Sequence, residues 1–522
     1  MTLYMVSSDE AVQDSVSITL EDFIEKGSPL RELRPHSAND ARDRLATRDP
    51  PSAVILDKEA PGAEELLDWI AKKVPTVPVV LPIRAPELSH IAAVLRPRVW
   101  GWDMSADPDD PDAAEKRLAA VLGAAVAPPA KRRLLAVVRF TGPAAQLAVV
   151  ENGISHFSGL PLLVDGWKRD KLNRLAQENL EPFREGRLRE LKTLWAEFSE
   201  RGIDVMNYLF DSAAADLIDR SDVDSLEFRF EIEDEALEAR FGLPLELLCK
   251  ELGTDFLCKL RPMARGIVKA RKASPAVLAV GPAANANAPA APRRPPPLVL
   301  FVDASMVVGQ PAVFSAEGVV FPSFDELRET AAEQLNGLRD LEQKKRGSPE
   351  LPLCRIEIFP PPGFKIGETK YAAALEERLR APADKLPRPD ILHFCGHGIT
   401  TTHLKSRKTQ LILPGTDGAD PDPLPVDLLA GWLPEGLRLI FLAACQSVSP
   451  HAARALHHRL QCDLIGFRWT IDATKIADFT RNFYAAHLDD GLTTAAAYQR
   501  ACESSYRDTH TAWVSAVALA AA

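Results

Sequence analysis

Short apolar runs alternate with amphipathic helical patterns through residues 298–522. Because strands that are joined by helices run parallel and are covered on both faces, this alternation predicts an α/β domain with a mostly parallel sheet and flanking helices. One predicted helix, over residues 323–345, begins with Ser323 and Glu326 at capping-box spacing. The predicted strands are LVLFVDAS, CRIEIF, DILHFC, TQLILPG, LRLIFLAA and DLIGFRW.

Residues 1–127 carry the same alternation in a smaller region. SAVILD and VPVVLPI have the composition of buried strands, and GAEELLDWIAKKV between them has a helical period. This stretch resembles a response-regulator receiver domain, with Asp57 at the position of the phospho-acceptor. The expected acidic pair is reduced to SSDE, and GWDMSADP lacks the expected lysine. Since such groups hold a magnesium ion, we expect a degenerate receiver-like (flavodoxin-like) docking domain rather than a working phospho-switch.

Two further regions separate these α/β parts. In residues 133–268, an α+β region, RLLAVVRF and AQLAVVENG predict a strand pair, and DSLEFRFEIED alternates like a half-buried strand. Residues 269–297 are rich in alanine, proline and asparagine, which predicts a flexible linker open to proteases. The apolar face of a helix predicted in the first of these regions, expected in the core, consists of Leu188, Leu191, Trp195 and Phe198.

The composition excludes several classes of function. A chain of 522 residues is too long for one core and favours about three domains. Its net charge of −11 argues against a surface that binds nucleic acid directly or an anionic membrane. We expect no membrane span and no signal peptide, since neither apolar pattern is present. The seven scattered cysteines predict free thiols in a cytoplasmic protein.

Two predicted strands end at residues with catalytic chemistry. DILHFC is followed by His397, and LRLIFLAA by Cys445. Reactive groups of open α/β sheets collect beyond the carboxyl ends of strands, so neighbouring strands would bring this pair together. A cysteine needs a base or a positive partner to become a thiolate, and histidine is such a partner. The main-chain N–H groups of Gly398 and Cys445 are candidate donors to the oxyanion.

HFCGHG followed by LAACQS resembles the paired signature of caspase-like cysteine peptidases of clan CD, in particular their bacterial CHAT branch. The resemblance covers about residues 200–522. It implies that His397 is the base or ion-pair partner, that Cys445 is the nucleophile, and that no cofactor or metal is needed. It also implies a protein substrate and a regulated proteolytic or antiphage defence pathway, in which an upstream protease or a regulatory protein releases activity.

The substrate preference stays open. Caspases have glutamine before the Ala-Cys pair and glycine two residues after the cysteine, whereas this chain has AACQS, so a strict aspartate preference is not implied. Arg468, Trp469 and Asp472 are candidates to line the pocket for the residue before the cut. Arg468 favours an acidic substrate residue and Asp472 a basic one, and either is also a candidate member of an ion pair.

Other interpretations remain. His393, Cys395 and His397 alternate along one strand and are a conceivable zinc site, although zinc sites usually have more ligands. Cys462 and Cys502 are expected to be structural. The alternative function is an inactive adaptor that binds proteins through its receiver-like and caspase-like domains. For an active enzyme, we predict that a cut within residues 269–297 activates or liberates the catalytic domain, residues 298–522.

Overall fold

The computed structural model describes most of the chain, in two compact units. The first unit is built mainly from Met1–Arg169, and the second from Asp170–Met206, Phe228–Lys269 and Ala286–Ala522. The residues that the structure describes are 2–25, 32–46, 51–85, 87, 90, 93–94, 96, 98–105, 110, 112–127, 133–142, 144–152, 154–162, 166–177, 191–210, 225–252, 255–269, 295–305, 314–316, 319–321, 324–346, 351–365, 370–403, 406–415, 421–469, 471, 473–506 and 515–521.

A five-stranded parallel sheet is the core of the first unit. Its strands are β1 (Thr2–Val6), β2 (Glu32–Pro35), β3 (Ala53–Leu56), β4 (Val79–Ile83) and β5 (Val99–Asp103), and its helices are α1 (Glu10–Glu25), α2 (Ala38–Leu45), α3 (Ala63–Lys73) and α4 (Ala113–Val126). The strand order, β2-β1-β3-β4-β5, is that of flavodoxin-like sheets. The two predicted strands and the helix between them are confirmed as β3, β4 and α3. The receiver resemblance itself stays a prediction.

Asp57, the candidate phospho-acceptor, lies directly after β3 and is buried. The Ser7 hydroxyl donates to its carboxylate at 2.9 Å. The Arg84 guanidinium lies 2.7 Å from the Asp9 carboxylate and 3.8 Å from that of Asp57. A cation of the chain thus lies beside both carboxylates, and the docking role of this domain stays a prediction.

An antiparallel meander of β6 (Arg133–Thr141), β7 (Ala144–Glu151) and β8 (Ile154–Leu162) follows in the first unit. The pairing of β6 with β7 confirms the strand pair predicted there. The two helices that come next in the chain are α5 (Gly166–Gln177) and α6 (Leu191–Leu209).

A mostly parallel sheet is the core of the second unit. The strands from here on are β9 (Ser225–Glu233), β10 (Met263–Val268), β11 (Leu298–Asp303), β12 (Phe314–Ala316), β13 (Val319–Phe321), β14 (Lys345–Arg346), β15 (Leu351–Pro352), β16 (Arg355–Phe359), β17 (Ile391–Cys395), β18 (His397–His403), β19 (Ser406–Leu413), β20 (Asp422–Pro425), β21 (Leu439–Ala443), β22 (Asp463–Phe467) and β23 (Ala516–Leu519). The main sheet has the order β16-β11-β17-β21-β22-β23-β10-β9 within this unit, and only the β22–β23 pair is antiparallel.

Helices accompany this sheet, as the alternation of patterns predicts. The longer ones are α7 (Phe324–Gln343), α8 (Tyr371–Arg380), α9 (Val426–Trp432), α10 (Ala473–Tyr484) and α11 (Thr494–Tyr506); shorter helical segments are Asp234–Ala236, Leu237–Arg240, Leu245–Leu247, Leu257–Leu260, Pro450–Ala452, Ala453–His458 and Ala485–Asp489. The predicted mostly parallel sheet with flanking helices is therefore confirmed for this unit. No helix in the described ranges is long and apolar enough to span a bilayer.

The main sheet also includes strands that precede the predicted linker. In β9 the side chains of Leu226, Phe228, Phe230 and Ile232 are buried, as their alternation predicts. β10 pairs with β9 on one side and with β23 on the other. Residues 228–269 thus share one sheet with the strands of 298–522, although the sequence analysis placed them in separate regions.

Several predictions fall outside what the structure describes. They concern residues 270–294 of the linker, Ser323 of the capping box, Leu188, and the side chains of Leu191 and Trp195. Phe198, the remaining member of the predicted helix face, is buried.

We predict that the protein loses stability as the pH falls from about 6.5 toward 4. Burial lowers the pKa of His393 to about 3 and that of His457 to about 4, from an ordinary value of 6.5. In this window the unfolded chain binds protons that the folded chain does not, so acid favours unfolding. The measurement is urea denaturation at about pH 7 and about pH 5.

The matched variant is His457→Asn. Asparagine can keep the hydrogen bond that the His457 Nδ1–H donates to the Cys462 carbonyl, 2.7 Å away, but it does not titrate. The difference in unfolding free energy between the two pH values should therefore be smaller in the variant than in the wild type. An unchanged difference would rule out a contribution from this histidine.

Candidate active site at the carboxyl ends of β17 and β21

The register of two neighbouring strands places His397 and Cys445 at one edge of the sheet. β17 and β21 are parallel, and Cys395 lies opposite Ala443. His397 and Cys445 each follow by two residues, and the Gly396 N–H donates to the Ala443 carbonyl at 3.3 Å. Since paired strands lie about 4.8 Å apart, the two residues are neighbours at the carboxyl edge.

His397 is held as a neutral imidazole. It opens β18, its exposed fraction is 6%, and burial lowers its pKa to about 4. At neutral pH it is therefore in the form that accepts a proton. Burial thus disfavours the charged form that an ion-pair partner needs, and the role of His397 stays a prediction.

Gly398 lies against the cysteine's own backbone. A Cβ atom at this position would be 2.4 Å from the Cys445 carbonyl oxygen and 3.2 Å from the Ala444 Cβ. Since non-bonded atoms do not approach so closely, only glycine fits where β18 passes the turn after β21. The backbones of Gly398 and Cys445, the two candidate oxyanion donors, therefore lie in contact. Their role as donors stays a prediction.

Cys445 differs from the other cysteines in exposure. All seven cysteines lie in the described part of the chain, and the other six are buried. Burial raises the pKa of Cys462 to about 12, which keeps it an unreactive thiol. The Cys445 sulfur accepts a hydrogen bond from the Ile471 N–H at 3.4 Å, and its thiol lies 3.7 Å from the Ile471 carbonyl oxygen.

The CHAT domain model matches residues 250–519, just over half of the chain. The chain belongs to the CHAT family. CHAT domains are related to the caspase-like cysteine peptidases of clan CD, so the family resemblance drawn from the two motifs is confirmed. No curated protein matches the chain significantly.

Within this CHAT fold, two hydrogen bonds from Thr400 clamp Gln446, the residue after the cysteine, and the sequence did not predict them. Gln446 has a positive φ of 48°, which is unusual for a side-chain-bearing residue. Thr400 of β18 holds it twice: its N–H donates to the Gln446 Oε1 at 3.1 Å, and its hydroxyl to the Gln446 carbonyl at 2.8 Å. The motif AACQS gives no sign of this, because the left-handed backbone is set by tertiary contacts.

The pocket candidates lie on the segment after β22. The Arg468 side chain bonds the buried Glu246 carboxylate at 2.8 Å, and the Trp469 ring stacks on Phe198 with the ring centres 5.7 Å apart. Asp472 lies outside the described residues. The contribution of these three residues to substrate binding stays a prediction.

The zinc interpretation finds no support in the described ranges. His393 Nδ1 lies 3.1 Å from the Tyr484 hydroxyl, and its Nε2 lies 3.0 Å from the Gln334 side-chain oxygen. The Gln334 amide also donates to the Cys395 sulfur at 3.4 Å. The structure describes no group of three or more His, Cys, Asp or Glu side chains that could hold a metal ion.

We predict that Gly398→Ala lowers the free energy of unfolding by about 1–3 kcal/mol, the usual cost of overpacking. The reason is the 2.4 Å approach to a backbone oxygen, which cannot rotate away. The matched control is Gly431→Ala in α9, where a Cβ would meet no atom within 4 Å and alanine favours the helix. Urea denaturation measures both; equal stability of Gly398→Ala and wild type would contradict the close contact.

Proposed function

We propose that the protein is a cysteine endopeptidase that cuts protein substrates with His397 and Cys445. The main support is the placement of these two residues in a CHAT protein. Cys445, the one cysteine of seven that is not buried, lies at the same edge of the sheet as His397, which burial keeps neutral. A nucleophile needs access to substrate and a base beside it, and this edge supplies both.

The reaction has two halves. In the first, His397 takes the thiol proton of Cys445, the sulfur attacks the peptide carbonyl carbon, and the N–H groups of Gly398 and Cys445 stabilise the oxyanion. The histidine then gives the proton to the departing amine, which leaves an acyl-enzyme. In the second, His397 takes a proton from a water molecule, whose oxygen attacks the thioester carbon. The cysteine sulfur leaves as the acid product forms, and His397 returns the proton to it. The chemistry balances without a cofactor.

The proposed setting is a regulated pathway in the cytoplasm, with antiphage defence as the family-based candidate. A reducing compartment suits an enzyme whose nucleophile is a free thiol. An upstream protease or a regulatory protein would control activity, and residues 269–297 are the candidate point of cleavage.

A cut in this linker would nick the second unit without liberating a separate domain. β10 pairs with β23 and with β9 in the main sheet. In addition, Arg265 of β10 bonds Glu246, which bonds Arg468 beyond the linker. The two pieces would therefore stay associated after a cut. Any activation would come from the release of the linker ends from each other, without separation of the pieces.

We predict that purified protein cuts members of a diverse peptide library, and that Cys445→Ala and His397→Ala each reduce cutting at least about a thousandfold. Mass spectrometry of the products identifies the cut sites and the preferred residue before the cut. Cys462→Ala is the control, because that buried thiol should be dispensable for activity. Cuts that persist in Cys445→Ala would exclude this nucleophile.

Activation is tested by inserting a site for a specific protease within residues 270–294. We expect cleavage to raise the rate on library peptides while the two pieces co-elute in gel filtration. Equal rates before and after complete cleavage would end the activation proposal. Separation of the pieces would contradict their association through the sheet.

A further inference from the structure

A buried Arg–Glu–Arg cluster joins three parts of the second unit. Glu246 lies in the helical turn Leu245–Leu247, Arg265 in β10, and Arg468 directly after β22. Arg265 bonds both carboxylate oxygens of Glu246, at 2.7 and 2.6 Å, and Arg468 bonds one of them at 2.8 Å. Burial would raise the pKa of Glu246, but the two arginines more than offset this and lower it, so the carboxylate stays charged.

The cluster fixes the start of the segment after β22. Besides its bond to Glu246, Arg468 donates its main-chain N–H to the Ser515 carbonyl at 2.8 Å. The Trp469 N–H donates to the Ser515 hydroxyl at 2.8 Å, and the Trp469 ring lies parallel to that of Phe198. The side chain and the backbone of this segment are thus both held.

The same segment reaches the cysteine. The Trp469 carbonyl accepts the Gln446 N–H at 3.2 Å, directly after Cys445. Two residues further on, the Ile471 N–H donates to the Cys445 sulfur. The described contacts therefore lead from Glu246 through Arg468 and Trp469 to Gln446, directly after Cys445, and the Ile471 N–H bonds the sulfur itself. An N–H donor stabilises a thiolate more than a thiol, so its placement affects reactivity.

The anchors of this path precede the region that the CHAT model matches. Glu246 and Phe198 both lie before residue 250. Helix α6, which carries Phe198, packs directly on the turn that carries Glu246: a Cβ on Gly202 would lie 1.8 Å from the Leu247 carbonyl oxygen. Residues outside the matched domain thus hold the segment beside the cysteine together with Ser515, which lies inside it.

We propose that Arg468 is a positioning residue for the nucleophile: by its bond to Glu246 it helps to hold Arg468 and Trp469 in place, so that the Ile471 N–H stays on the Cys445 sulfur. The inference rests on the proposed function in taking Cys445 as the nucleophile. It assigns Arg468 a role other than recognition of an acidic substrate residue, because the guanidinium is engaged by a carboxylate of the chain itself. It also makes the region before the CHAT match part of the active-site framework.

The test is the pH dependence of Cys445 alkylation by iodoacetamide in the full-length protein, with labelling sites identified by mass spectrometry. This small neutral reagent needs no substrate pocket. Arg468→Met removes the side-chain anchor of the segment while Arg265 continues to neutralise Glu246, so the fold should persist. We expect the apparent pKa of the alkylation reaction to rise by about one unit, roughly the effect of one hydrogen bond to a charged atom. The rate at pH 7 should fall up to about tenfold.

Two variants sharpen the comparison. Arg468→Lys, which can still donate to Glu246, should recover most of the wild-type profile. Arg454→Met is the matched control. Arg454 bonds Asp234 at 2.6 Å and so also joins the matched region to a residue before it, but this contact is half-exposed, and the ion pairs described for Arg454 are with Asp234 and Glu238. It should leave the profile unchanged.

The outcomes separate this inference from the proposed function. An unchanged alkylation profile in Arg468→Met, with or without an altered peptide preference, would overturn the positioning role. Faster alkylation at every pH would also overturn it, by showing that the segment only shields the sulfur. If the predicted shift occurs but no peptide is cut either before or after cleavage of the linker, the positioning role stands and the peptidase proposal fails.

Discussion

The parallel pairing of β17 with β21 is the constraint on which the rest of the site depends. Its register places His397 and Cys445 beyond the same sheet edge, and no flexible arm is needed to bring them together. The strands can hold that register because both are buried along their whole length. A slip of one residue would turn every apolar side chain of a strand to the other face, which makes the placement of the pair a consequence of core packing.

Burial shifts the pKa values of histidine and cysteine side chains in this unit in opposite directions. It keeps His397 neutral and able to take a proton, and it makes the Cys462 thiol hard to ionise. Cys445 is half-buried, whereas the other six cysteines are buried. Among the seven cysteines, the property that sets Cys445 apart is its exposure.

The sequence predicted the features that depend on short stretches of the chain. Apolar runs predicted the strands of the second unit, and the strand-end positions of His397 and Cys445 pointed to a shared edge. The pairing of β10 with β23 was not predicted, because it joins segments far apart in the chain. Glu246 and Arg265 did carry a signal: each is a charge inside an apolar stretch, and such charges are buried only when paired. The clamp of Thr400 on Gln446 left no such trace.

The position of β23 also has a consequence for how the site forms during folding. This strand is inserted between β22 and β10, and Ser515 just before it binds the backbone of Arg468 and Trp469. Contacts between segments so distant in sequence close a large loop and form late. A chain still being synthesised, with β10 and β22 already made, therefore has Cys445, Arg468 and Trp469 but not the Ser515 groups that bind the backbone of the latter two. The surroundings of Cys445 would reach their final geometry only when β23 joins the sheet.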